Sequence, residues 1–146
     1  MILKGPEFQE TRVWDVYATY PDPIRAPMLS LRAHIFDVAA TLPQVGSIKE
    51  TLKWGQPAYL TPETKSGSTL RLGLTKNGAI ALFTHCQTTL ISDFKALFLN
   101  DFTYDGNRAL HLSEQQMTSL PLDQLSLLIK AALTYHLNPK QPPNGG

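Results

Sequence analysis

The chain is poor in most of the residues that announce a mechanism. It holds one cysteine, Cys86, in 146 residues, so no intrachain disulfide forms, and a lone thiol suits a reducing compartment. Charged residues make up only 17% of it and the net charge is +1. A general nucleic-acid binder carries a clear basic excess, so nucleic acid is not an expected partner. The same balance argues against an acidic, cation-collecting surface. No apolar run approaches the roughly 20 residues of a membrane-spanning helix. No apolar stretch of the secretory type follows Lys4. The expectation is a cytoplasmic protein with no membrane partner. Phosphate-binding Gly loops and the Gly-x-Ser-x-Gly turn of hydrolases are missing too. Gly67-Ser68-Thr69 lacks the Lys and the following helix that a phosphate cradle needs.

What is present is a good core. At 42% hydrophobic, the chain is long enough to bury one as a single domain. Residues 1–10 show no period and read as a loose lead-in. Val13, Val16, Tyr17 and Tyr20 follow helical spacing as far as Pro21. Asp22 is placed to cap a second helix whose stripe is Met28, Leu31, Ile35, Val38 and Leu42. Pro27 predicts a separate first turn, with the regular helix starting near it. Extended segments follow at 48–54 and 57–60, then a polar loop at 61–68.

Segments 69–76 and 79–84 flank Asn77-Gly78, which predicts a two-residue type I′ hairpin turn. That register pairs Leu74 with Ala81, Leu72 with Phe83 and Leu70 with His85 on the core face. Arg71, Gly73, Thr75, Ile80, Leu82 and Thr84 then share the other face. Ile80 and Leu82 need cover there, from a second copy of the chain in a homodimer or from the N-terminal segment.

Leu90, Ile91, Phe94, Leu97 and Phe98 mark a further helix. A second hairpin at Asp105-Gly106-Asn107 pairs Phe102 with Leu110 and Tyr104 with Arg108. The last helix starts at Pro121, carries Leu122, Leu125, Leu128, Ile129, Ala132, Leu133 and His136, and stops at Asn138-Pro139. The predicted fold class is α+β: an antiparallel β-sheet of about five to six strands packed against helices. It forms a single domain at 12–138, with 1–11 as lead-in and 139–146 as a flexible tail.

The candidate chemistry centres on Lys53-Trp54-Gly55-Gln56-Pro57-Ala58-Tyr59. Gly and Pro interrupt a strand ladder, so the run reads as a bulged strand junction at Gly55. Its two aromatics either fill the core or wall a pocket. Strand alternation sends Lys53 to the face opposite Trp54 unless Gly55 kinks the chain. Neighbours in a strand, His85 and Cys86 point apart and make no nucleophile–base pair. A base for Cys86 would have to be His34, His111 or His136, and a buried, inert thiol is the plain reading. No metal-ligand spacing is present, so no metal residue is assigned. Arg108 leans over apolar surface and wants an anion, either Asp93 or Asp101 within the chain or a ligand. The ligand-binding candidates are Trp54, Gln56, Tyr59, His85 and Arg108, and no residue is assigned as catalytic.

Leu31-Arg32, followed by Lys-Trp-Gly-x-Pro-x-Tyr at 53–59, two hairpins and a final helix behind Pro121, resembles the YdhG-like domain family. These are small, mostly bacterial domains, largely of unknown function. The resemblance spans 13–137 and implies an α+β fold with an antiparallel sheet against helices. Some relatives are described as frataxin-like iron chaperones, so the resemblance also carries iron as a candidate cargo. The first long helix offers Asp22 and Asp37 for it. Three functional expectations result. The first is a non-enzymatic module binding a small molecule or a protein. The second is a frataxin-like intracellular iron chaperone, and the third is an enzyme using Cys86 or a histidine.

Overall fold

Val13 and Tyr17 lie one helical turn apart, and α1 (Thr11–Thr19) buries both completely. The computed structural model describes residues 5–137. The last helix ends at Leu133, short of His136 and of the stop expected at Asn138-Pro139; the tail at 139–146 and residues 1–4 of the lead-in lie outside the described residues.

Helix α2 (Asp22–Ala40) runs unbroken through Pro27, which corrects the expected separate first turn. Proline costs this helix one backbone hydrogen bond, the one its missing N–H would give the carbonyl of Pro23. Asp22 is not the cap: Pro21 holds that position, and Asp22 pairs instead with Arg25 at 3.0 Å. Met28, Leu31 and Ile35 are fully buried, so the stripe faces the core as its spacing predicts. A 3-10 turn (Pro43–Val45) leads into the strands.

Six antiparallel strands follow: β1 (Lys49–Lys53), β2 (Gln56–Leu60), β3 (Leu70–Leu74), β4 (Ile80–Phe83), β5 (Thr103–Asp105) and β6 (Ala109–His111). Their order in the sheet is β1-β2-β3-β4-β6-β5. Three more helices, α3 (Leu90–Leu97), α4 (Glu114–Thr118) and α5 (Leu122–Leu133), complete a single α+β domain. Leu70, Leu72, Ile80, Leu82 and Leu110 form the sheet's contribution to the core, which Leu125, Leu128 and Ile129 of α5 close from the other side. Among the described residues no helix is long and apolar enough to cross a membrane.

The β3–β4 hairpin differs from expectation by one residue. Leu74 pairs with Ile80, Leu72 with Leu82 and Arg71 with Phe83. Only Gly78 has positive φ in this turn, at +83°; Asn77 does not, so the type I′ turn is not formed. Gly78 N–H donates to Thr75 O at 2.9 Å, and Thr75 N–H donates to Ala79 O at 2.8 Å. The result is a three-residue loop with glycine in the left-handed position. A one-residue slip exchanges the faces of β4. Ile80 and Leu82 therefore join Leu70 and Leu72 in the core, fully buried, while Ala81 and Phe83 share the face of Arg71. Ile80 and Leu82, whose exposure motivated a homodimer, therefore need no cover from a second copy.

The β5–β6 hairpin also shifts. Tyr104 pairs with Leu110 and Asp105 with Ala109, so Arg108 belongs to the loop and not to the ladder. Helix α4 was not anticipated. It carries a capping box, with the Ser113 side chain accepting from Gln116 N–H and the Gln116 side chain accepting from Ser113 N–H.

The lead-in is ordered against the domain from Gly5 onward. Phe8 lies over the Arg32 guanidinium, 3.7 Å from ring centroid to Cζ. The Gln9 side chain donates to Ile48 O at 2.9 Å and accepts from Glu50 N–H at 3.0 Å.

Candidate functional site

The β1–β2 connection is a two-residue turn, because Lys53 pairs with Gln56 across it. Trp54 has φ +56° and Gly55 φ +73°. Two consecutive left-handed residues make this a type I′ turn, not the bulged junction expected. Glycine accepts that conformation freely, whereas for a bulky residue it is an outlier. The turn holds Trp54 out in solvent, with 89% of it exposed. Strand alternation does not govern a turn residue, so Lys53 and Trp54 meet after all. They line one recess of about 250 Å³ together with Thr69, Arg71 and His85.

Arg71 anchors this recess from β3. Its Nη1 donates to Gln56 Oε1 at 2.6 Å, and its guanidinium stacks over Phe83, 5.3 Å from the ring centroid. Burial pushes the Arg71 pKa down from its ordinary value, though a guanidinium stays charged. Among the described residues no carboxylate pairs with Arg71 or Lys53. Gln56 itself lies flat on the sheet. A Cβ added to Gly73 would sit 2.4 Å from Gln56 Nε2, so glycine at this place is what lets the amide rest on β3 and hold Arg71. His85, beyond the end of β4, accepts from Gln87 N–H through Nδ1 at 3.1 Å. That leaves Nε2 as the protonated, donating nitrogen of the neutral ring.

Of the five residues predicted, Trp54 and His85 share the recess, and Gln56 touches it through Arg71. Tyr59 does not belong to it. Its position on β2 faces the helices, and its hydroxyl is buried between Glu50, 2.8 Å away, and the hydroxyl of Tyr17, 2.6 Å away. Arg108 is also elsewhere. Its carboxylate partner is Asp105 at 3.2 Å, not Asp93 or Asp101, and both groups are exposed. Lys53, Thr69 and Arg71 were missed as site residues. The one legible signal was Arg71, a charged position alternating with Leu70 and Leu72.

Behind the recess, on the other face of the sheet, lies a second polar cluster that the sequence did not disclose. Arg32 Nε and Nη2 donate to the two oxygens of Glu50 at 2.6 and 2.9 Å, with both side chains fully buried. Tyr59 O–H donates to Glu50, which leaves Tyr17 to donate to Tyr59. Burial raises the pKa of both phenols, and the neighbouring Glu50 charge pushes the same way. This network is sealed from solvent and offers no surface to a ligand.

The thiol of Cys86 is exposed, not buried as expected. It lies past the end of β4 and shares no hydrogen bond with His34, His111 or His136 among the described residues. His34 contacts Ser126 Oγ through Nε2 at 2.7 Å. The serine hydroxyl donates to Leu122 O at 2.8 Å, so its proton is committed and the contact ties α2 to α5. Among the described residues no three His, Cys, Asp or Glu side chains gather as a metal-binding group. Comparison with family models, with curated proteins and with solved structures gives no match to this chain.

Proposed function

We propose that this protein is a non-enzymatic module of the YdhG-like kind that binds a small molecule in the recess beside Trp54. The observation that carries the reading is Trp54 itself. A large aromatic side chain stands almost wholly in solvent, on a backbone conformation that disfavours it, at the mouth of a recess lined by polar groups. Strained, exposed residues of this kind persist where binding uses them, because folding alone would select glycine or asparagine. At about 250 Å³ the recess falls just below the roughly 300–1,000 Å³ of drug-sized pockets, so the ligand is small.

Trp14 is the other tryptophan, 39% exposed on α1. A Trp14→Phe variant makes Trp54 the sole indole reporter. Titration with a metabolite panel is expected to quench or shift its emission with saturation, and Trp54→Ala is expected to abolish binding measured by calorimetry while leaving the melting transition cooperative. Silence across the panel in both fluorescence and calorimetry overturns the small-molecule reading in favour of a protein partner. Among the described residues no assembled donor set supports the iron-chaperone reading and no paired nucleophile and base supports the enzyme reading.

A further inference from the structure

The recess has a charge character that its size and shape do not require. Lys53, Arg71 and His85 all line it, and none of its lining residues is a carboxylate. Cations gathered without a counter-charge repel one another, and protein surfaces ordinarily relieve this with interspersed acids. Here the whole chain is nearly neutral, at +1, so the local excess is not a reflection of overall composition. Arg71 is also held in place: Gln56 grips one end of its guanidinium and Phe83 supports its plane. A planar fork fixed in this way presents its remaining N–H groups in a set direction, which suits an oxyanion. Trp54 lines the same recess and brings to it the one flat aromatic surface among its lining residues.

We propose that the recess selects a small aromatic anion, an aryl carboxylate or aryl phosphate, with its ring against Trp54 and its charge received by Arg71 and Lys53. The inference rests on the small-molecule reading above and narrows it to a ligand class. Thr69 and His85 supply additional donors at the rim. The ring supplies the contact area that an inorganic anion lacks, and the anion supplies what a neutral arene lacks. Affinity therefore depends on both parts together.

Calorimetric titration of the full chain with benzoate, phenyl phosphate, benzamide and inorganic phosphate tests this. One or both aryl anions are expected to bind at least tenfold more tightly than benzamide and than inorganic phosphate. Whichever of benzoate and phenyl phosphate binds better identifies the oxyanion. Arg71→Gln is expected to lose about tenfold in affinity for the aryl anion and nothing for benzamide. Lys53→Gln, at an exposed position that no packing depends on, is expected to lose about threefold and to flatten the salt dependence. Equal affinity for benzamide and benzoate overturns the anion class and leaves the binding site standing. Equal affinity for inorganic phosphate and phenyl phosphate overturns the aromatic component. No binding of the four probes, with a metabolite from the wider panel still quenching Trp54, overturns the ligand class alone; silence everywhere overturns the site itself.

Discussion

Arg32 on α2 and Glu50 on β1 face each other as a bidentate ion pair, at 2.6 and 2.9 Å, with no solvent access to either side chain. Phe8 caps the guanidinium, and Tyr59 gives the carboxylate its third hydrogen bond. The pair joins the first long helix to the edge strand of the sheet, and it is satisfied on every side that the core offers.

Removing one partner leaves a buried, uncompensated charge. Glu50→Leu is expected to destabilise the fold by about 3–5 kcal/mol, read from urea denaturation. The double variant Arg32→Met/Glu50→Leu is expected to recover most of that loss, because no charge then remains to be desolvated. A double variant as unstable as the single one would mean that the pair contributes net stability of its own.

The Tyr17–Tyr59 contact predicts an alkaline limit to stability. Both phenols have folded pKa values above their ordinary 10.0. Below about pH 10 they are protonated in the folded and unfolded chain alike, and their contribution is complete. Above it the unfolded tyrosines ionise while the buried ones stay neutral, so unfolding releases protons and stability falls as pH rises. Each site adds up to about 1.4 kcal/mol per pH unit. The unfolding free energy of Tyr17→Phe/Tyr59→Phe, followed from pH 9 to 11, is expected to fall less steeply than that of the parent. Parallel slopes would refute the assignment.

Trp54 costs the free protein stability. Asparagine tolerates positive φ, so Trp54→Asn is expected to stabilise the chain by about 1 kcal/mol and to raise its melting midpoint by about 3 °C. The same substitution is expected to abolish ligand binding measured by calorimetry, giving opposite signs for stability and function. Differential scanning calorimetry on the two proteins decides the first part, and a fall in midpoint would show that the indole stabilises the turn.

Two glycines separate packing from positioning. At Gly67 an added Cβ would lie 2.8 Å from the carbonyl oxygens of both Ala132 and Leu133, and the backbone there is held by Ser68 N–H donating to Ala132 O. Gly67→Ala is expected to cost about 2 kcal/mol, since backbone cannot move aside. At Gly73 the nearest atom is the end of the Gln56 side chain, which can swing away. Gly73→Ala is expected to cost less than half as much in chemical denaturation, yet to weaken aryl-anion binding severalfold by releasing Arg71. Equal stability losses at the two positions would remove the distinction.

These residues also show what the sequence could and could not disclose. Helices α2 and α5 were legible because Met28, Leu31 and Ile35, or Leu125, Leu128 and Ile129, repeat at a period no strand shares; α4 buries no residue and so shows no such stripe. The hairpins were legible as hairpins but not in register. Asn77-Gly78 fits two turn types, and the choice depends on a single backbone angle at Asn77 that no residue preference fixes. Trp54-Gly55 was harder, because tryptophan is not a left-handed residue and nothing local announces that it will be one. The site suffered accordingly: reading Trp54 as a strand residue separated it from Lys53. Glu50 went unnoticed for another reason. A lone acid in a strand defaults to a solvent-facing position, and its burial follows from Arg32, 18 residues away on another element.

Gln9 has a consequence beyond ordering the lead-in. Edge strands expose unpaired N–H and C=O groups to which another chain can add itself. On β1 the outward carbonyl of Ile48 and the outward N–H of Glu50 are both taken by one primary amide. One glutamine side chain thus makes, at the start of this edge, the pair of bonds that an added strand would make there. It blocks the template by which partly folded copies would join edge to edge, and it leaves β5, only three residues long, as the sheet's other margin. The protection of this point of the edge comes from a residue that belongs to no strand.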